Sequence, residues 1–149
     1  MKCDMKQMPA SETTMTIGRI VLLVKAYDEA ITFYTDVRGM EVFVDVQVRH
    51  SRFIHLRFSS QPDVGVWLIR AEGPEQEARV GNQMGGQPLA VFYTQRLSDD
   101  LTRLRALGVR IVREEASDGE ASYAHFLDVY GNELVLVELR QNGVKTASG

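Results

Sequence analysis

The sequence has little of what several large classes of function require. Its 149 residues include a single cysteine, Cys3, so the chain can form no internal disulfide and no cluster of thiolate ligands. No apolar run approaches the roughly 20 residues that a helix needs to cross a bilayer. Basic residues are scattered and the net charge at pH 7 is −3, so we expect neither nucleic acid nor a membrane as a partner. Nucleophile-elbow, phosphate-loop and dinucleotide-binding motifs are missing as well.

What is present is the composition of an ordinary globular domain, with 44% hydrophobic and 25% charged residues. Residues 1–15 and 140–149 are polar and without hydrophobic periodicity, so we expect a disordered tail at each end of one folded domain. The first of these stretches lacks the apolar centre of a signal peptide. We therefore expect a cytoplasmic location.

The chain contains an internal repeat. Residues 20–31 align with residues 90–101 at an offset of 70, and Gly39 aligns with Gly108 at an offset of 69. Each copy has an apolar strand candidate, an N-cap candidate (Asp28 or Ser98), an apolar helical stripe and a glycine suited to end a helix. Any two strand–helix units share such features, so a chance likeness is the alternative to duplication. The change in offset predicts one extra residue in the helix-to-strand turn of the first copy.

Three further strand candidates, separated by turn residues, follow each of these glycines. The pattern strand–helix–strand–strand–strand, given twice, predicts an α+β fold of two βαβββ modules in tandem. We place the first module at residues 16–72, a connector rich in glycine at 73–86 and the second module at 87–139. Together they form one domain over residues 16–139.

Two phrases within this pattern resemble a known family. They are FYTDVRGMEV at residues 33–42 and FLDVYGNELVLVE at residues 126–138. With the tandem modules they resemble the vicinal oxygen chelate superfamily, which includes glyoxalase I, bleomycin-resistance proteins, fosfomycin-resistance enzymes and extradiol dioxygenases, and in particular its glyoxalase-like members of unassigned function. The resemblance covers residues 17–139. It implies curved mixed sheets around a cavity, with the helices on the convex faces and a ligand or metal on the concave side.

The resemblance also implies where a metal would be held, and the residues there are unsuited to it. Active relatives use four inward-facing strand positions, three of which correspond to Arg19, Leu89 and Val135. The end of the first module, VGVWLIR, offers neither carboxylate nor imidazole for the fourth. A guanidinium stays protonated and repels a cation, and aliphatic side chains do not coordinate one. We therefore expect no metal and no other cofactor.

Strand alternation predicts which side chains face the cavity, because successive residues of a strand point to opposite faces. If Leu22 and Val24 face the helix, Arg19 lies on the cavity side, where its guanidinium suits a carboxylate or phosphate. The direction of Trp67 stays open, since both faces of its strand are apolar. The polar and aromatic candidates for ligand binding are Arg19, His55, Arg57, Trp67, Tyr93, Tyr123 and His125.

Each candidate also has a plainer interpretation. Arg19 can pack its stem and reach water at the strand end, or pair with Glu138. His55 and His125 can be hydrogen-bonded sheet residues, and Trp67 can lie in the core or a subunit interface. A rival metal site made of His55, His125 and Glu138 has no support from residue spacing.

These patterns together predict a metal-independent protein, similar to the glyoxalase and bleomycin-resistance branch, that binds a small organic ligand with an anionic group. The resemblance implies a homodimer whose two chains share a site. One alternative is a metal-free lyase or isomerase that uses His55 or His125 as a general base, with Arg19 as an electrostatic stabiliser. A metal-dependent glyoxalase or dioxygenase is the remaining alternative, disfavoured by the missing ligands.

Overall fold

The computed structural model describes residues 14–140, which form two four-stranded mixed sheets. Most of both expected tails, including Cys3, lies outside the described residues. The first sheet has the strand order β1-β4-β3-β2 and the second has the order β5-β8-β7-β6. The elements of the first half are β1 (Arg19–Val24), α1 (Tyr27–Thr32), β2 (Glu41–Val48), β3 (Ser51–Arg57) and β4 (Gly65–Arg70). A short helix α2 (Gly73–Glu77) precedes β5 (Ala90–Tyr93), α3 (Leu97–Ala106), β6 (Ile111–Ser117), β7 (Ala121–Leu127) and β8 (Glu133–Leu139).

The two sheets repeat one topology, as the internal repeat predicts. In each, the first strand runs parallel to the last, and the remaining pairs are antiparallel. The helix follows the first strand in both cases. This is the βαβββ arrangement given twice, and the predicted α+β fold is confirmed.

The extra residue of the first copy is absorbed in a wider helical turn. After Thr32 the helix continues as a π-helical segment, Phe33–Val37, in which the Arg38 amide donates to the Phe33 carbonyl at 3.3 Å. One inserted residue converts an α turn into such a π turn. Gly39 and Gly108 follow their helices with φ of 78° and 81°, the left-handed conformation that glycine adopts without steric penalty.

The predicted N-caps are wrong, because both helices begin earlier than the sequence suggests. Asp28 and Ser98 lie inside the first turns of α1 and α3, and neither helix has a side-chain cap on its own N-cap residue. The start of α3 is instead held from the sheet, where the Leu97 amide donates to Glu138 Oε1 at 2.7 Å. Glu138 is the residue that the sequence analysis considered as an ion-pair partner of Arg19.

The core lies between each sheet and its helix. Alternate strand residues point into it, and the largest side chains with no exposure include Ile54, Leu56, Leu68, Phe126, Leu134 and Leu136. These residues belong to one apolar cluster that also contains Leu22, Val24 and the helix residues Leu101 and Leu104. The face of each sheet that carries these residues is called the convex face below. The opposite face is called the concave face below.

Polar contacts join the two modules at the π-helical turn. Tyr34 Oη donates to Asp128 Oδ2 at 2.7 Å, and burial together with the Asp128 charge raises the pKa of Tyr34 well above its usual value. Arg38 stacks on two rings of the second module, with its guanidinium carbon 4.7 Å from the centre of Phe92 and 5.1 Å from that of Phe126. Burial lowers the pKa of Arg38 to about 10. The modules therefore share one interior.

The connector covers the free edge of β1. Gln83 accepts from the Leu23 amide through Oε1 at 2.8 Å and donates from Nε2 to the Val21 carbonyl at 2.9 Å. Its side-chain amide thus pairs with the strand edge as a neighbouring strand would, which removes two open pairing sites. No helix in residues 14–140 combines the length and apolarity that a bilayer crossing requires.

Candidate functional site

The concave face of the first sheet carries the predicted residues of that module. Val21 and His55 are both register partners of Trp67, so the three share a face. The neighbouring positions Leu22 and Leu68 are buried on the other side. The direction that sequence alone left open is thereby fixed, and Trp67 points to the concave face. Its ring lies 5.9 Å from the His55 ring and 6.2 Å from that of Phe53.

Two hydrogen bonds and one ring contact orient the Arg19 guanidinium on this face. Its Nε donates to His55 Nδ1 at 3.0 Å, and its Nη1 donates to the Gly18 carbonyl at 2.6 Å. The guanidinium carbon stands 4.5 Å from the centre of the Phe43 ring, a cation–π distance. Gly65 is the register partner of Arg19. A Cβ there would lie 3.0 Å from Phe43 Cε1 and 3.3 Å from Arg19 Cδ, so the glycine makes room for the stack.

Several N–H donors of Arg19 form no hydrogen bond within residues 14–140. A guanidinium has five N–H donors, and within residues 14–140 Arg19 uses only two of its nitrogens and forms no ion pair. The proposed pairing with Glu138 is contradicted, because Glu138 binds the start of α3. Arg57 differs: it pairs with Glu41 at 2.9 Å, although it too stacks on Phe43 at 4.5 Å. Arg19 is therefore a cation of this face that no carboxylate of the described chain neutralises.

His55 is a neutral donor in this setting. Burial, with a smaller contribution from the Arg19 charge, lowers the pKa of His55. Its Nδ1 accepts from Arg19, and a guanidinium only donates, so the proton of the neutral ring resides on Nε2. That tautomer makes Nε2 a donor for a ligand. It also makes His55 a poor general base through that atom.

The second sheet presents a different cluster on its concave face. His125 Nδ1 is hydrogen-bonded to Glu133 Oε2, and the Tyr123 ring stands 6.3 Å from the His125 ring in an edge-to-face arrangement. Tyr93 and Tyr123 are both register partners of Val137, which puts them on the same face. Tyr93 is 71% exposed. A carboxylate beside one imidazole nitrogen fixes the ring, and within residues 14–140 the other nitrogen of His125 forms no hydrogen bond.

Six of the seven predicted residues fall into two groups, to which the structure adds Phe43 and Glu133, whereas Tyr93 only shares the face of Tyr123. The Arg19 cluster comprises Arg19, Phe43, His55, Arg57 and Trp67, and the His125 cluster comprises Tyr123, His125 and Glu133. Among residues 14–140 no hydrogen bond, ion pair or ring contact joins one cluster to the other. The rival metal site made of both histidines and Glu138 is not assembled.

The residues at the family's metal positions do not fit a metal. Arg19 carries a positive charge, and Leu89 and Val135 have no donor atom. Trp67 is the register counterpart of Val135, since each pairs with the histidine of its own sheet, and its indole N–H donates only. No three His, Cys, Asp or Glu side chains within the described part of the chain converge as a metal site.

Both concave faces are open in the single chain. Val21, Val91 and Tyr93 are 39%, 52% and 71% exposed although all three are apolar or aromatic and lie in strands. An apolar cleft of about 330 Å³ opens between β1 and β5, and its lining includes Ile20, Phe58 and Phe92 together with Val21, Gly65 and Val91 of the concave faces. The cleft has no charged side chain in its lining. The charged candidates Arg19, Arg57 and Glu133 therefore lie outside the lining of this cleft.

Sequence reasoning missed Phe43, Gly65 and Glu133. Phe43 lies in a β-bulge, where the register of β2 shifts between Val42 and Val44, and simple alternation fails at a bulge. Gly65 is visible in the sequence as a glycine at the start of a strand, a position that often marks close approach of other groups. Glu133 contacts His125 only through the pairing of β7 with β8, which one sequence does not reveal.

Comparisons with known proteins agree with this architecture. The sequence model of the Glyoxalase/Bleomycin resistance protein/Dioxygenase superfamily matches residues 16–136. An uncharacterized protein of Shewanella frigidimarina (strain NCIMB 400) is 31% identical over 126 residues, which cover 83% of this chain and 93% of that protein.

Solved structures show the same fold. UcmS2 is similar with a TM-score of 0.74 at 24% identity, covering 84% of this chain and 98% of that one. TnmS3, an antibiotic binding protein from Streptomyces sp. CB03234, has a TM-score of 0.69 at 18% identity over 87% of this chain and 100% of its own. A superfamily member from Sphaerobacter thermophilus DSM 20745 has a TM-score of 0.65 at 18% identity, with coverage of 83% and 97%. With the sequence match over most of its length, this chain belongs to the Glyoxalase/Bleomycin resistance protein/Dioxygenase superfamily.

Proposed function

We propose that this protein binds a small organic anion on the concave side of its sheets, without a metal, and that Arg19 holds the anionic group. The observation that carries the proposal is the state of Arg19. Its guanidinium is oriented by His55, Gly18 and Phe43, and no carboxylate in the described chain neutralises it. Such an oriented cation with unused N–H groups suits the two oxygens of a carboxylate or phosphate.

The surroundings of Arg19 favour an apolar or aromatic body for the ligand. Val21, Phe53 and Trp67 provide apolar surface on the same face. Apolar walls with a few polar groups that fix orientation are typical of small-molecule sites. The fold similarity to an antibiotic binding protein is in keeping with such a ligand.

The chemistry of the side chains supports metal independence. A divalent ion needs several deprotonated oxygen, nitrogen or sulfur donors. At the corresponding strand positions this chain has Arg19, Trp67, Leu89 and Val135, none of which supplies one. The Arg19 charge would also repel the ion. A ligand held by this face therefore depends on the guanidinium for its anionic group.

A homodimer is part of the proposal. The concave faces leave Val91 and Tyr93 more than half exposed, and a single chain provides no cover for them within residues 14–140. A second copy that places its concave face opposite would bury this surface and close a cavity around the ligand. Analytical ultracentrifugation should give twice the monomer mass, and a monomer at all concentrations would contradict this part.

A thermal-shift screen of aromatic carboxylates and phosphates, run in EDTA, tests the anion site. A ligand that binds only the folded state raises the melting temperature, and we expect hits with the wild type that disappear in Arg19→Leu. Arg70→Leu is the matched control, because Arg70 is exposed and lies at the end of the β1–β4 strand pair opposite to Arg19. Equal shifts in wild type and Arg19→Leu for every hit would reject Arg19 as the anchor.

One observation favours a second, enzymatic function. His125 is held by Glu133 at Nδ1, which leaves Nε2 free to take a proton from a bound substrate. His55 lacks this arrangement. Each hit from the screen should be incubated with wild type and followed by NMR for new resonances. Product that forms with wild type and not with His125→Asn would establish catalysis, and unchanged hits with both proteins would leave binding as the function.

A further inference from the structure

The two histidines of the concave faces occupy equivalent positions in the two modules. His55 pairs with Trp67, which pairs with Val21. His125 pairs with Val135, which pairs with Val91. The rows Val21–Trp67–His55 and Val91–Val135–His125 therefore correspond strand by strand.

Their hydrogen-bond partners are opposite in charge. In the first module Gly65 stands two residues before Trp67, and Arg19 reaches past it to His55 Nδ1. In the second module the residue two before Val135 is Glu133, and its carboxylate binds His125 Nδ1. A cation contacts one imidazole and an anion contacts its counterpart.

Opposite partners impose opposite tautomers on the two rings. A guanidinium has only donors, so His55 Nδ1 accepts and its Nε2 carries the proton. An ionised carboxylate only accepts, so His125 Nδ1 carries the proton and the neutral ring keeps a lone pair on Nε2. At Nε2, His55 therefore donates a hydrogen bond and His125 accepts one.

We propose that the ligand of this protein has two poles: an acidic or carbonyl group that Arg19 and His55 bind, and a hydroxyl or amine donor that His125 and Glu133 bind. This inference rests on the proposed function, because it requires one ligand to meet both concave faces. Trp67 and Val21 share the face of the first pole and Val91 shares the face of the second, and their apolar surface suits a flat apolar body. The ligand class is an aromatic acid with a separate hydroxyl or amino group.

The tautomers are measurable without any ligand. Long-range proton–nitrogen correlation spectra of the nitrogen-15-labelled protein at mildly alkaline pH distinguish a protonated from a bare imidazole nitrogen. We expect His55 protonated at Nε2 and His125 protonated at Nδ1, with His50 as an exposed reference. In Glu133→Ala, His125 should lose its preference for Nδ1. The same tautomer in both rings of the wild type, or a doubly protonated His125, would overturn the inference.

Binding of matched probes tests the two poles separately. The probes are 2-naphthoate, 2-naphthol and the 2-naphthoates that bear one hydroxyl at different positions of the second ring. At least one hydroxynaphthoate should bind about tenfold more tightly than 2-naphthoate, as one added hydrogen bond to a charged or polarised group implies. That gain, measured as the ratio of the two affinities, should vanish in Glu133→Ala.

The outcomes separate this inference from the proposed function. If 2-naphthoate binds through Arg19 and no hydroxyl isomer gains affinity, the two-pole inference fails and the anion site stands. If 2-naphthoate and its isomers bind equally well to wild type and Arg19→Leu, the anion site itself fails. A gain that persists in Glu133→Ala would also overturn the assignment of the donor pole.

Discussion

Gly65 offers a sharp test of how the site is built. A Cβ added there would lie 2.6 Å from the Leu56 carbonyl oxygen, 3.0 Å from Phe43 Cε1 and 3.3 Å from Arg19 Cδ. The first contact is with backbone, so the strands must move apart. Overpacking of this kind destabilises a protein by about 1–3 kcal/mol. Alanine also lowers the conformational entropy of the unfolded chain, which stabilises the fold by about 0.4–1 kcal/mol. We therefore expect Gly65→Ala to lower the free energy of unfolding by roughly 1–2 kcal/mol.

The matched control is Gly18→Ala, where an added Cβ meets nothing within 4 Å. That variant should be unchanged or stabilised by up to about 1 kcal/mol. The free energy of unfolding of both variants is measured by urea unfolding, followed by the fluorescence of Trp67, the one tryptophan of the sequence. Gly65→Ala should also weaken aromatic-acid binding, because Phe43 and Arg19 must shift. Equal stability of the two variants would refute the claim that Gly65 makes room for the stack.

Three further predictions concern the strand edge, the module junction and the anion site. Gln83→Ala should lower the free energy of unfolding in urea by about 1–3 kcal/mol, because it removes two hydrogen bonds to β1. The control Gln87→Ala, at an exposed position, should change it little. Equal effects of the two variants would contradict the edge-pairing role. The raised pKa of Tyr34 means that the fold favours its neutral form. An unfolded tyrosine ionises at about pH 10, so the contribution of Tyr34 to the free energy of unfolding should be complete below that pH. Above it, the free energy of unfolding should fall by up to about 1.4 kcal/mol per pH unit. Tyr34→Phe should flatten that decline in alkaline unfolding curves, and an unaltered slope would rule out Tyr34 as its source. Arg19→Leu should raise the pKa of His55, because one cause of its lowering is removed; an NMR titration with no change would show that burial alone lowers it.

Much of the fold was predictable because it repeats. The offset between Ile31 and Leu101, and its change by one residue at Gly39 and Gly108, predicted both modules and the wider turn of the first. Strand alternation placed Arg19 and His55 on the concave face because the opposite set of positions in their strands includes the apolar residues Leu22 and Ile54, and the structure buries both. These signals are local and periodic, so one sequence contains them.

The contacts that define the site were less accessible to sequence reasoning. The pairing of His125 with Glu133 depends on the register of β7 against β8. The position of Phe43 depends on a bulge. Glu138 was offered as a partner of Arg19, but it holds the start of α3, because that helix begins at Leu97 rather than after Ser98. Each of these features depends on strand register, on a bulge or on helix–sheet packing, none of which follows from the periodicity of the sequence.

The most direct test of the central claim is a crystal structure of the protein with the tightest-binding aromatic acid from the screen. We expect its carboxylate to lie on the Arg19 guanidinium, within hydrogen-bond distance of His55 Nε2, with no metal ion between protein and ligand. A carboxylate bound away from Arg19, or a metal ion that coordinates it, would contradict the account.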